Sequence, residues 1–217
     1  MEVVYEDNHI IIVNKRPGEI VQGDKTGDTP LVETVRQYIK ETYAKPGNVF
    51  CGLVHRIDRP VGGLVVFAKT SKALTRMNEL FRLGDVHKTY WAIVQGRPKQ
   101  PEAHLTHYIT SVERNNKSYA SLRPKEGASK SELIYRTLAE GENYTLLEID
   151  LITGRKHQIR VQLSTTGTPI KGDLKYGARR SNPDGSISLL ARSIRFVHPV
   201  SKKEIYIEAP IPDDKLW

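Results

Sequence analysis

The chain has 217 residues, 38% of them hydrophobic, with 33 Lys and Arg against 25 Asp and Glu and a formal net charge of +8. That length suits one domain, residues 1–217, with a core large enough to stand without disulfides, and the one cysteine, Cys51, cannot form an intrachain bridge, which fits a reducing cytosol. No apolar run approaches the roughly 20 residues that span a bilayer, and the acidic start Met1-Glu2-Val3-Val4-Tyr5-Glu6-Asp7 lacks the basic and apolar regions of a secretory signal, so we expect a soluble, cytoplasmic protein.

Along the chain, alternating runs predict strands at Val3–Tyr5 and His9–Asn14. A helix is expected from Thr29-Pro30, with Pro in the first turn and Leu31, Val35, Tyr38 and Ile39 on one face. Gly63–Lys69 reads as a buried strand, followed by a helix capped by Ser71, running through Leu74, Met77 and Leu80-Phe81 and stopping at Gly84. Further strands are expected at Thr89–Val94, Ser131–Thr137, Tyr144–Leu151, Ile187–Phe196 and Glu204–Glu208. A third helix begins near Arg155 and ends by Gly167, with Ile159 and Leu163 inward. The Asn115-Asn116 region and the stretch from Arg179 to Gly185 carry the residues of exposed turns. Many strands, few helices and no βαβ alternation indicate an α+β fold with a mixed, mainly antiparallel sheet.

The positive charge favours a polyanionic partner, because neutralising phosphates releases counterions. It is dispersed, with no polybasic tail, which suits a groove lined by scattered Arg and Lys. Cys51, ahead of Gly52-Leu53-Val54, reads as a small core residue and not as a nucleophile. His104 and His107 are three apart, so in a strand they face opposite sides, and there is no Cys pair or His-Glu-x-x-His pattern to suggest a metal. Glycine-rich nucleotide-cofactor loops are absent as well.

The segment His55-Arg56-Ile57-Asp58-Arg59-Pro60-Val61-Gly62-Gly63-Leu64 sets one carboxylate between two arginines, ahead of a Gly-Gly pair and a core strand. Glycine allows positive φ and close backbone approach, so Asp58 is expected on a tight loop feeding the strand. By spacing alone Asp58 is as well explained by a structural ion pair with Arg56 or Arg59 as by chemistry. On the third helix, His157 and Arg160 are three apart and can share a face. A guanidinium there can grip a carboxylate bidentately, although spacing by itself fits a solvated basic face better. Tyr90 shares one side of its strand with Ala92 and Val94, where packing in the core is the default.

Three segments in order carry a resemblance. His55 to Leu64 resembles the catalytic-loop motif of the RluA-type RNA pseudouridine synthases, roughly His-Arg-Leu-Asp followed by Thr-Ser-Gly-Leu. Lys88-Thr89-Tyr90 resembles that family's Lys-x-Tyr strand, and Gly154-Arg155-Lys156-His157-Gln158-Ile159-Arg160 resembles its Gly-Arg-x-His-Gln-Ile-Arg segment. Gly172-Asp173 and Tyr176-Gly177 follow as another family pairing, and the correspondence runs from Tyr5-Glu6-Asp7 to Pro210-Ile211-Pro212. Four positions depart from the pattern: Val61 and Gly62 stand for the usual Thr-Ser, Lys15-Arg16-Pro17-Gly18 for Lys-Pro-x-Gly, Leu190 for a common His, and Gln162 for another. They bear on loop details and substrate choice.

The resemblance implies the pseudouridine synthase fold, a split sheet flanked by a few helices around a central RNA-binding cleft. It implies Asp58 as nucleophile on a flipped uridine, at the sugar's anomeric carbon or the ring, or as the group that assists a glycal route. It implies Tyr90 as the ring beneath the uracil or the group that moves the carbon 5 proton, and Arg160 as partner of the catalytic Asp. Candidate substrate contacts are Arg56, Arg59, Lys88, Arg155, His157 and Lys171. The expected partner is RNA, a tRNA or rRNA stem-loop, with no DNA, membrane, metal or cofactor, acting as a monomer and without an N-terminal accessory RNA-binding module. Two alternatives remain: a catalytically silent RNA-binding or ribosome-assembly protein on the same fold, and a nucleoside or nucleotide hydrolase using Asp58.

Overall fold

A computed structural model describes all residues, 1–217, of the chain. In chain order the elements are β1 (Glu2–Glu6), β2 (Ile10–Lys15), α1 (Leu31–Thr42), β3 (Gly52–Leu53), β4 (Gly62–Ala68), α2 (Ser71–Leu83), β5 (His87–Gln95), β6 (Glu102–Val112), β7 (Lys117–Ser121), β8 (Ser129–Glu140), β9 (Tyr144–Leu151), α3 (Gln158–Thr165), a short 3-10 turn (Leu174–Tyr176), β10 (Leu189–Val197) and β11 (Glu204–Glu208). The fold is α+β with mainly antiparallel strands and three α-helices, as the pattern indicated. Two compact units make up the chain: Met1–Val86 with Ala191–Pro210, and His87–Leu190 with Ile211–Trp217.

In the first unit β2 lies between β1 and β4, antiparallel to both, with β3 pairing antiparallel with the end of β4 and β11 pairing antiparallel with β10. Every residue of β4 is buried, and Ile10 to Val13 of β2 are fully enclosed. Of the Gly-Gly pair at the head of β4, the second is required sterically. Gly63 has φ +111, and a Cβ there would fall 2.4 Å from the Ala191 carbonyl oxygen on β10, so no other residue lets these backbones meet. On α1, Leu31, Val35 and Ile39 turn inward, while Tyr38 is half-buried and its hydroxyl donates to Glu6. Pro30 is the N-cap, one residue earlier than a first-turn position. Helix α2 is capped by Thr70, whose Oγ1 accepts from the Ala73 N–H at 3.1 Å, and not by Ser71, which is its first helical residue. It ends at Gly84 in the left-handed conformation, φ +83.

In the second unit the strand order is β5-β9-β8-β6-β7, antiparallel at each step. Strands β6 and β7 and the two-residue β3 are absent from the elements expected from sequence. The buried positions of β6 include His107, so its alternation carries little apolar contrast. Asn115-Asn116 lies in the turn joining β6 to β7, with Asn116 left-handed at φ +48. His104 is exposed and His107 buried, on opposite faces as expected. Helix α3 starts at Gln158, three residues later than expected, because His157 is held left-handed at φ +54. Ile159 and Leu163 are buried on it.

Candidate active site

In the first unit, Asp58 is half-buried on the loop entering β4. Its carbonyl accepts from the Val61 N–H at 3.0 Å, which closes a turn. The next carbonyl, of Arg59, accepts from the Gly18 N–H at 2.8 Å and from Lys15 Nζ at 3.1 Å. Lys15 is 1% exposed, and its ammonium also donates to the carbonyls of Arg16 and Glu19, at 3.0 and 2.8 Å. All three of its protons are therefore placed on backbone oxygens, which ties the 16–19 segment to the Asp58 loop. Burial pushes the Lys15 amine down to about 8, opposed by the charges of Glu19 and Asp58. Pattern reading gave Lys15 no role; the available signal was a lysine closing the apolar run Ile10–Val13.

His55 extends the same arrangement. Because β3 is only two residues long, the Val66 N–H on β4 has no strand partner there, and it donates to His55 Nε2 at 3.1 Å. That acceptor role makes Nε2 the bare nitrogen of the ring. The imidazole stacks on Phe81 of α2 with centroids 5.0 Å apart. The flanking arginines are engaged elsewhere: Arg59 Nη2 pairs with Asp28 at 2.7 Å and Arg56 Nη1 reaches Gln22 at 3.4 Å. Both arginines are exposed.

In the second unit, Tyr90 stands in β5 opposite Ile149 of β9 and is 8% exposed. Lys88, two residues earlier on the same strand, is half-buried, and desolvation lowers its pKa. A Cβ at Gly154 would lie 3.6 Å from Lys88 Nζ, so the ammonium sits against the turn before α3. That turn is fastened by Gln158: its Oε1 accepts from the Arg155 N–H at 3.0 Å and from the Thr153 hydroxyl at 2.8 Å, and its Nε2 donates to the Glu132 carbonyl at 3.0 Å. Arg155 and Lys156 are left exposed.

His157 and Arg160 do converge, though not as two positions of one helix. Both meet Tyr176: His157 Nδ1 is 2.8 Å from its hydroxyl, and the Arg160 guanidinium carbon is 5.0 Å from its ring centroid. The hydroxyl also accepts from the Ser118 N–H at 2.8 Å. Arg160 forks onto Asp173, with both side chains buried. Gln162, standing where a His is common, donates through Nε2 to the Leu105 and Ser131 carbonyls at 3.3 Å each and lies 3.0 Å from His107 Nδ1. It is a tie between α3 and the sheet, beside a histidine that burial keeps below its usual pKa. Lys171 Nζ donates to Asn182 Oδ1 at 2.6 Å.

The family profile described as RNA pseudouridylate synthase matches residues 9–165. The chain belongs to that family. It is 34% identical over 215 residues to the ribosomal large subunit pseudouridine synthase C of Vibrio cholerae, covering 96% of this chain and 65% of that relative, and so spans somewhat less than two thirds of its length. It is 30% identical over 224 residues to the ribosomal large subunit pseudouridine synthase D of Zymomonas mobilis, covering 99% of this chain and 70% of that one. Among solved structures, human RNA pseudouridylate synthase domain containing 4 superposes with a TM-score of 0.82 at 24% identity, over 98% of this chain and 89% of that one; this likeness concerns the fold. The α+β fold and the resemblance drawn from three motifs agree with these matches.

Proposed function

We propose that this protein is an RNA pseudouridine synthase that isomerises a uridine within folded RNA, of which ribosomal or transfer RNA stem-loops are the candidate substrates. The observation that carries the reading is the seating of Asp58. Its loop is fixed by Lys15, Gly18 and the Gly63 crossing, in a chain whose family is established by the match over residues 9–165. A nucleophile must be held in place before it reacts, since positioning lowers the entropic part of the barrier.

In this reading the target uridine leaves its stack and lies on Tyr90, where base stacking is worth about 1–3 kcal/mol. The Asp58 carboxylate adds covalently to the nucleotide as the bond between nitrogen 1 and the sugar breaks. The uracil turns, carbon 5 bonds to the sugar's anomeric carbon, the carboxylate is released, and the proton on carbon 5 is lost while nitrogen 1, freed from the sugar, takes one up. Product and substrate are isomers, so the balance requires no further reactant. Arg160 is assigned to keep the attacking carboxylate ionised. Arg56, Arg59, Lys88, Arg155, His157 and Lys171 are assigned to the RNA.

The test is incubation with bulk cellular RNA lacking pseudouridine, with Asp58→Asn alongside. The wild type forms pseudouridine; the Asn variant, isosteric but not a nucleophile, binds the RNA and turns over at least about a thousandfold more slowly. Turnover by the variant within tenfold of wild type would falsify the assignment of Asp58. Binding without conversion by the wild type would identify a silent RNA-binding protein, and release of free uracil a hydrolase.

A further inference from the structure

Within the second unit, away from Tyr90 along its own strand, lies a pocket of about 820 Å³ lined by the end of β5, the start of β9, the segment after α3 and the loop near residue 180. It falls within the size range of small-molecule sites. The residues that give it chemical character are Lys171, Arg179 and Arg180, the ring of Tyr144 and the amides of Gln95 and Asn182. The lining holds three cations and one carboxylate, that of Glu142, and Asp184 lies near enough to Lys171 to feel its charge.

The pocket is built and not merely left open. Gly172, at φ +89, passes so close to the loop that a Cβ would sit 2.7 Å from the Ser186 carbonyl oxygen and 2.8 Å from the Asn182 side chain. Asn182 is 9% exposed; its Nδ2 donates to Ser186 and Ser188 at 3.2 Å, and its Oδ1 holds the Lys171 ammonium at 2.6 Å. Gln95 Oε1 accepts the Arg179 N–H at 3.3 Å and so fixes the start of the exposed loop. The guanidinium groups of Arg179 and Arg180 make no ion pair and are exposed. Two bare cations beside an anchored ammonium and a half-buried aromatic ring match a phosphate with an attached base.

We propose that this pocket is a second nucleotide subsite, holding a phosphodiester and stacking a base on Tyr144, for RNA that flanks the target uridine. The proposal rests on the reading of the chain as an RNA-modifying enzyme. Five residues of β5 separate Tyr90 from Gln95, about 17 Å of extended strand, so the subsite takes a nucleotide a few positions from the flipped base. An acidic peptide fits less well, because it would leave the Tyr144 ring without a planar partner.

The experiment uses a fluorescein-labelled twelve-nucleotide oligouridylate and its 4-thiouridine analogue. Arg179→Ala/Arg180→Ala, in an exposed loop, is expected to keep the wild-type melting temperature and bind the oligomer at least about tenfold more weakly at low salt. The slope of log affinity against log salt becomes shallower by about 1.4, two contacts at roughly 0.7 each for single strands. Arg179→Lys/Arg180→Lys restores most of the slope. Photo-crosslinking places adducts within residues 142–144 or 179–182. Unchanged affinity and slope, or adducts confined to other segments, overturns the proposal. Displacement of the oligomer by polyglutamate at equal charge assigns the pocket to an acidic peptide and also overturns it. A wild type that fails to isomerise uridine while the double variant still weakens binding sinks the catalytic reading alone; an active wild type with an indifferent double variant sinks the subsite alone.

Discussion

Arg160 and Asp173 form a buried two-point ion pair in the second unit, Nε to Oδ2 at 2.7 Å and Nη2 to Oδ1 at 2.9 Å. The fork occupies two of the five N–H donors of the guanidinium and fixes the plane in which the others project. Tyr176 lies against that plane, and its hydroxyl is held by Ser118 and His157. Arg160 is thus oriented by side chains that come after α3 in sequence, from the Gly172-Asp173 and Tyr176-Gly177 pairs.

Asp173→Asn should therefore be costly. Removing one charge of a buried pair leaves the other poorly compensated, at about 3–5 kcal/mol. We expect a melting temperature several degrees lower and a parallel loss of RNA isomerisation. A double-mutant cycle with Arg160→Met should show strong coupling. Additive effects of the two substitutions on urea denaturation would mean the pair does not act as a unit.

Tyr90→Ala should weaken RNA engagement by about 1–3 kcal/mol if its ring supports a base, visible as a raised KM. Tyr90→Phe keeps the ring and should bind RNA as wild type does. A Phe variant with normal KM and a depressed kcat assigns the hydroxyl a part in proton transfer; normal kinetics for the Ala variant would make Tyr90 a packing residue only.

Lys15 offers a pH test. Its folded pKa of about 8 lies below the ordinary value of 10.5. Between those values the unfolded chain binds the proton and the folded one does not, so stability from this residue rises with pH. Below about pH 8 the cost of burying the ammonium is fully present; it fades as pH climbs towards 10.5. The unfolding free energy of wild type minus that of Lys15→Met should increase across this window, by a few kcal/mol at most. A flat difference in denaturant titrations from pH 7.5 to 10 would contradict it.

Cys51 should be inert in the folded protein. It is 7% exposed, and burial raises its thiol to about 12, so almost no thiolate exists near neutrality. Iodoacetamide should label it only on unfolding, in step with loss of the fold; rapid labelling of the native protein would show an accessible, activated thiol.

Local pattern was enough where one residue type admits one geometry. The β4 strand, the close crossing at Gly63, the left-handed stop at Gly84 and the inward positions of α1 were legible because backbone sterics and apolar periodicity act over a few neighbours. Three ordered motifs carried the family, and the match over residues 9–165 agrees with them. The true cap of α2 was missed because Thr70 and Ser71 are both competent caps, and only the path of the chain chooses between them. Strands β6 and β7 were missed because a buried histidine and many hydroxyl residues mask the alternation.

Sequence by itself determined the fold class, through apolar periodicity acting over a few neighbours, and the family, through the resemblance of three ordered motifs. Tertiary structure decided what the individual residues touch. Arg56 and Arg59 turn to Gln22 and Asp28, and Arg160 takes Asp173. Lys15 spends its charge on three carbonyls, one of them from a residue 44 positions away. A charge is satisfied by whichever acceptor the folded chain brings within hydrogen-bond reach, and a distance of a few ångströms in space bears no fixed relation to separation along the chain.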